Sequence, residues 1–206
     1  NVSMLLLGTN INSSVYGGGY EGNVISNTYI EMVKGTVNEN IYGGGYAGTV
    51  NNTVVIIDDE SKNQIHIGKN VFGGGKGVLA TVYNSTSVLI NLELEMDVTE
   101  SAVSTGEVTS GETKVEVSIN DNYSKINGSV YGGGDLGQVG QGVINTTNNT
   151  ANISKAGTTK VIVQNGYIAG DVFGGGSGVP TDEKYELKMG SIYGFTTTTI
   201  NGGFIG

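Results

Sequence analysis

The sequence predicts an all-β chain: a right-handed parallel β-helix (β-solenoid) of about seven coils, with an inserted hairpin as one option in its middle. The first observation behind this is a pentapeptide written five times. It appears as Val15-Tyr16-Gly17-Gly18-Gly19, Ile41-Tyr42-Gly43-Gly44-Gly45, Val71-Phe72-Gly73-Gly74-Gly75, Val130-Tyr131-Gly132-Gly133-Gly134 and Val172-Phe173-Gly174-Gly175-Gly176. The second is a fixed offset: each copy has an aliphatic residue four positions before its Val or Ile, namely Ile11, Val37, Ile67, Ile126 and Ile168. The third is the period. Tyr16 to Tyr42 is 26 residues and Tyr42 to Phe72 is 30, which suits short strands on about three faces of a coil rising by the inter-strand spacing of ~4.8 Å. A unit of this size, built of β-branched residues and glycine, buries its apolar face only against its neighbours.

Taken in order, Ser3-Met4-Leu5-Leu6-Leu7 reads as a buried strand ended by the turn Gly8-Thr9-Asn10. Met4 and Leu6 lie twelve and ten residues before Tyr16; the same offsets from Tyr42 pick out Ile30 and Met32, and from Phe173 Val161 and Val163. Those pairs are two further core positions per coil. Most copies then close with glycine and an aliphatic, as in Gly22-Asn23-Val24, Gly48-Thr49-Val50 and Gly137-Gln138-Val139. Polar insertions are expected near 58–63, 99–112 and 145–156 of a single domain covering 1–206.

The interval from Phe72 to Tyr131 is 59 residues, the length of about two coils without a triple glycine between them. Within it, Val88, Ile90, Leu92, Leu94, Met96 and Val98 alternate with Leu89, Asn91, Glu93, Glu95 and Asp97, and Val115, Val117 and Ile119 repeat the pattern. Such alternation describes strands with one wet face. Two ordinary coil strands and an antiparallel hairpin both satisfy it. At the end of the chain, Ile200 to Gly206 aligns with Ile126 to Gly132, so the sequence is expected to stop inside a further copy of the motif, as a fragment of a longer repeat protein would.

Stacked coils place like residues upon like. Ile11, Val37, Ile67, Ile126 and Ile168 form one expected ladder, and Val15, Ile41, Val71, Val130 and Val172 a second. The triple glycines are expected to make a corner, because positive φ costs them little and the missing Cβ admits a tight turn. The aromatic residues before them have two readings: a column of rings that stiffens the corner, or an exposed platform for sugar rings.

Ten lysines, no arginine and nineteen acidic residues give a net charge of −9, which makes nucleic acid and anionic membrane poor partners. No apolar run reaches membrane-spanning length, so direct membrane insertion is not expected. There is no cysteine, hence no disulfide or thiolate metal site. Gly17 to Gly22 matches the letters of a dinucleotide fingerprint, but no helical periodicity follows it to hold a pyrophosphate. His66, the one histidine, lies between Ile65 and Ile67 and reads as a surface residue. Asp58, Asp59 and Glu60 form the one acidic triplet and are the calcium candidate, with a solvated turn as the blander alternative. The Asn-x-Ser/Thr pattern occurs at Asn1, Asn12, Asn51, Asn84, Asn122, Asn127, Asn145, Asn148 and Asn152. No catalytic residue is assigned and no cofactor is implied.

The unit Gly-x-Ile-x-Gly-x-Val-[Tyr/Phe]-Gly-Gly-Gly, clearest at Gly166 to Gly176, resembles the repeat of large adhesin-like, β-helical surface proteins of anaerobic gut bacteria. The resemblance covers most of the chain, departing at Val78 to Asn122 and Asn145 to Ala156. It implies a secreted, modular, cell-surface context and a non-catalytic structural or adhesive role. The expected partners are further repeats or identical subunits stacked end to end, and host or cell-wall glycans. Two rivals stand beside this reading: a self-assembling extracellular fibre subunit, and a glycan-binding module or polysaccharide-degrading β-helix.

Overall fold

The computed structural model describes residues 1–59, 64–93, 97–101, 114–118, 124–145, 150–178 and 189–206, with backbone alone at 97–101, 114–118 and 144–145. Among these residues there is no helix; the chain is all-β, and its strands are mostly parallel in a curled sheet. The long strands run side by side in the order Val2–Ile11, Asn27–Val37, Thr49–Asp58, Thr81–Asn91, Gly157–Asn165 and Gly194–Ile200. Asn27–Val37 also explains the curl. Its first half pairs with Thr49–Asp58, whereas Gly35–Val37 turns to pair with Ile65–Ile67, and from there the sheet continues through Lys125–Ile126, Tyr167–Ile168 and Phe204–Ile205. A second, five-stranded parallel sheet contains the five aliphatic-aromatic dipeptides in sequence order.

The registers bear out the ladders position by position. Met4, Ile30, Val55, Val88, Val161 and Thr198 are successive partners, as are Leu6, Met32, Ile57, Ile90, Val163 and Ile200. Ile11, Val37, Ile67, Ile126, Ile168 and Ile205 form a third ladder, and Val15, Ile41, Val71, Val130 and Val172 a fourth. All four contribute to one apolar core, except for Thr198 and Ile200 on the exposed last strand. Alternation puts these residues inward, and each fully buried Val or Ile contributes about 1.5–3 kcal/mol over an exposed one. A smaller core holds Val24, Val50, Val82, Val139 and Ile192.

Three expectations are corrected. Tyr131 pairs directly with Phe72, so the 59-residue interval is one step of the repeat rather than two, and the described residues hold six long-strand positions where about seven coils were expected. The extra length is a detour: Thr81–Asn91 ends its alternation in the main sheet, and Asp97–Ser101 pairs antiparallel with Lys114–Ser118. The hairpin option is therefore the observed one. A second antiparallel hairpin, Gln141–Asn145 with Thr150–Lys155, accounts for the insertion near 145–156. Residues 146–149 lie outside the described residues.

The third correction is the C-terminal alignment. Phe204-Ile205 pairs with Tyr167-Ile168, and Ile200 pairs with Val163. The segment thus occupies the Ile168 ladder, one short strand before the aromatic dipeptide. Both dipeptides join an aromatic to an aliphatic ahead of glycine, and their reversed order is what separates them.

Candidate functional site

The five triple-glycine copies come together with their aromatic residues into one continuous column. Tyr16, Tyr42, Phe72, Tyr131 and Phe173 stack with ring centroids 4.7–4.9 Å apart and interplanar angles of 4–12°. Parallel strands impose a spacing of ~4.8 Å on any residue repeated at one register position, and flat rings fill that spacing with face contacts worth roughly 0.5–1.5 kcal/mol per pair. Tyr42 is 1% exposed, whereas Phe173 at the end of the column is 41% exposed. The central rings present no open face.

The column is flanked by a shorter one. Tyr20 stacks on Tyr46 at 5.0 Å, and Tyr46 meets Tyr16 edge-on at 6.1 Å. Lys76 sets its ammonium 5.9 Å from the Tyr42 ring centre and 6.0 Å from that of Tyr46. The Tyr42 hydroxyl donates to Asp135 Oδ2 at 3.0 Å. Burial, reinforced by the Asp135 charge, pushes that hydroxyl well above the ordinary tyrosine range, so it remains a donor. Tyr20, 75% exposed, is the ring of this cluster that solvent reaches.

The glycines are needed for a reason other than the one expected. None of the triple-glycine residues has positive φ; what all of them but Gly175 lack is room. A Cβ on Gly44 would lie 2.8 Å from the Gly75 nitrogen, and one on Gly133 would lie 2.7 Å from the Gly176 nitrogen and 2.8 Å from Ile192 Cδ1. Gly18 N–H donates to Gly44 O, Gly44 to Gly74, Gly74 to Gly133 and Gly133 to Gly175. The backbones approach closely enough to bond directly, as only a residue without a side chain permits. The left-handed turn falls two residues beyond the triplet, at Glu21 (φ 53), Ala47 (φ 54), Gly77 (φ 93) and Leu136 (φ 63).

Two polar ladders were missed by sequence reasoning. Thr28, Thr53, Thr86, Thr159 and Thr196 are successive register partners. The first four donate their hydroxyls to the carbonyls of Gly43, Gly73, Gly132 and Gly174, at 2.5–2.6 Å. Each threonine thereby ties its long strand to the first glycine of the same copy. The visible signal was a threonine two residues before the first core aliphatic.

The second ladder is Ser14, Asn40, Asn70, Ser129 and Asp171, each directly before an aliphatic-aromatic dipeptide. Each of the first four side-chain oxygens accepts the backbone N–H of the next member: Asn40 on Ser14 at 3.3 Å, Asn70 on Asn40 at 3.0 Å, Ser129 on Asn70 at 2.7 Å and Asp171 on Ser129 at 3.0 Å. Bonds within the fold also account for part of the Asn-x-Ser/Thr pattern, since Thr53, Thr86 and Ser129 of the ladders, and Ser124 outside them, complete four of those triplets.

The calcium candidate divides. Asp58 accepts from Asn91 Nδ2 at 3.1 Å. Asp59 is buried, accepts the Glu93 N–H at 2.9 Å and takes the Ser124 hydroxyl hydrogen bond, while Ser124 Oγ accepts the Ile65 N–H at 2.9 Å. Asp59 and Ile65 flank one insertion and Glu93 and Ser124 the other, so these bonds fasten the mouths of both. Glu60 lies outside the described residues. Among the described residues no group of three or more His, Cys, Asp or Glu is placed to hold a metal. His66 is half-buried between the buried Ile65 and Ile67.

Comparison with models of known protein families, with curated proteins and with solved structures finds no match for this chain.

Proposed function

We propose that the chain is a right-handed parallel β-helix serving as a non-catalytic structural or adhesive segment of an extracellular, cell-surface protein. The observation that carries this is the fate of its polar side chains. The Tyr42 hydroxyl, four threonine hydroxyls, the Ser14 to Ser129 acceptors and the Asp59 carboxylate are all engaged in joining one strand to another. Side chains of the kinds that would bind and react are here spent on cohesion. Right-handedness follows from the near-universal hand of parallel crossovers, and the six long strands in parallel register supply the stacking. The resemblance to the [Val/Ile]-[Tyr/Phe]-Gly-Gly-Gly repeat of bacterial surface proteins supports the location. A glycan array with and without calcium, read together with melting curves, tests the passive role. Binding that disappears in Tyr20→Ala, or melting raised by calcium, would replace it with a glycan-binding one.

A further inference from the structure

We infer that the hairpin of Gln141–Asn145 and Thr150–Lys155 forms, with the sheet at its foot, a binding groove for a neutral saccharide. The inference rests on the adhesive half of the reading proposed above and gives it a site and a class of ligand. The groove has a volume of about 420 Å³ and is lined by Gln138, Gln141, Gly142, Val143, Asn152 and Ser154. Small-molecule sites span about 300–1,000 Å³, so the space suits a short carbohydrate segment.

The hairpin is held at both feet. It leaves the sheet after Val139 and returns at Gly157, and Tyr193 bonds to each side: its N–H donates to Val139 O at 2.9 Å, and its carbonyl accepts the Gly157 N–H at 2.8 Å. The Tyr193 ring lies against Gly142, where a Cβ would stand 2.8 Å from Cε1. Lys155 sets its ammonium 5.1 Å from the Tyr83 ring centre, and Ser154 Oγ donates to Gln141 O at 3.2 Å. A stem fixed in this way presents its side chains in one arrangement before a ligand arrives, which lowers the cost of binding.

The chemistry of the lining selects the ligand. No charged residue lines the groove, although the chain carries nineteen acidic residues and ten lysines, so a charged ligand would meet no counter-ion there. What the groove offers is the amides of Gln138, Gln141 and Asn152, each with donor and acceptor in one plane, and the Ser154 hydroxyl. Such groups match the neighbouring hydroxyls of a sugar ring. Gln138 is oriented by donating from Nε2 to Thr81 Oγ1 at 3.1 Å. Val143, 66% exposed, adds an apolar wall for the C–H face of the ring. None of these side chains belongs to the two polar ladders, so the cohesion of the stack does not consume them. Behind Gly142, the Tyr193 hydroxyl is the one buried polar side-chain atom without a hydrogen-bond partner among the described residues. Buried hydroxyls are ordinarily paired, and this corner therefore keeps hydrogen-bonding capacity that the stack leaves unused.

Titration of the whole chain with cellotetraose, laminaritetraose and mannotetraose, followed by NMR, should show saturable binding of at least one of them. That binding should be the same at low and moderate salt, since no charge takes part, and tetragalacturonate should not bind. Asn152→Ala and Gln141→Ala should each weaken the bound sugar about 3- to 10-fold, and Val143→Asp should abolish binding. Melting temperatures should stay at the wild-type value, because Asn152 and Val143 are exposed. Absence of saturation with all three neutral sugars, tighter binding of the galacturonate, or undiminished binding in both alanine variants would overturn the inference. Absence of binding leaves the structural half of the proposed function standing, whereas binding lost in Tyr20→Ala, or melting raised by calcium, overturns the reading beneath it.

Discussion

Ile41-Tyr42-Gly43-Gly44-Gly45 and Val172-Phe173-Gly174-Gly175-Gly176 are the same motif in different company. In the first, the ring is covered on both faces and Gly44 abuts the next backbone; in the second, the ring is 41% exposed and Gly175 faces open space. Their sequences do not explain the contrast. Position does: each copy supplies half of two interfaces, and a copy at the margin leaves one half unused. Energy in such an array resides between copies, as nearest-neighbour terms, so the worth of a residue is set by whether its successor is present.

The sharpest way to break this comparison is to place one substitution at both sites. Gly133→Val drives a side chain into Gly176 and Ile192 and should cost about 3 kcal/mol, which lowers the melting temperature by about 6–12 °C for a chain of this size. Gly175→Val in the monomer should leave it unchanged. Equal losses at the two sites would end the argument from close approach.

Next in size is Thr86→Val, which keeps the shape but strands the Gly132 carbonyl in the interior and should cost about 1–3 kcal/mol; Thr196→Val, on the exposed last strand, should fall within about 0.5 kcal/mol of wild type. Asn70→Ala removes the acceptor of the Ser129 N–H and should cost about 1 kcal/mol. Asp171→Ala, whose acceptor has no successor among the described residues, should cost nothing that a melting curve resolves.

The smallest effect is one of pH. Burial holds the Asp59 carboxyl above its ordinary range, against the pull of its bonds from Ser124 and Glu93 N–H, and the charges of Glu93 and Asp58 push the same way as burial. A carboxyl with a raised value in the fold keeps its proton more readily folded than unfolded. Its contribution is complete below the ordinary aspartate value and is lost as pH climbs through the raised one. Asp59→Asn has no proton to release, so its melting temperature should lack that decline; parallel declines in the two proteins would assign the effect elsewhere.

Much of this was legible beforehand, and the reasons are physical. Like-on-like registry follows from the repeat itself, so Ile30, Met32, Val161 and Val163 could be placed by offset from the aromatic residues alone. The glycines were identified for the right place and the wrong property. An αL turn and a backbone contact both call for glycine, and a single copy does not say which; the actual left-handed residues, Glu21, Ala47 and Leu136, carry side chains that gave no warning. The threonine and Ser14 to Asp171 ladders went unread because polar residues in a glycine-rich chain resemble surface. Alternation from Val88 does turn Thr86 inward, but the glycine carbonyl it meets is known only from the pairing of strands. The pairing of Tyr131 with Phe72 was hidden by length, since 59 residues suit two periods as well as one period with a hairpin.

That last ambiguity has a consequence for what the molecule tolerates. The sheet closes across a 59-residue excursion as it does across 26, and a doubling of loop length adds only about 0.6 kcal/mol of closure entropy. The bonds among Asp59, Ile65, Glu93 and Ser124 sit where both excursions leave and return, pinning the base whatever hangs beyond it. The mouth at Glu93 and Ser124 is thus a socket: foreign sequence grafted there should be carried outward as cargo, with the stack beneath it indifferent to the load.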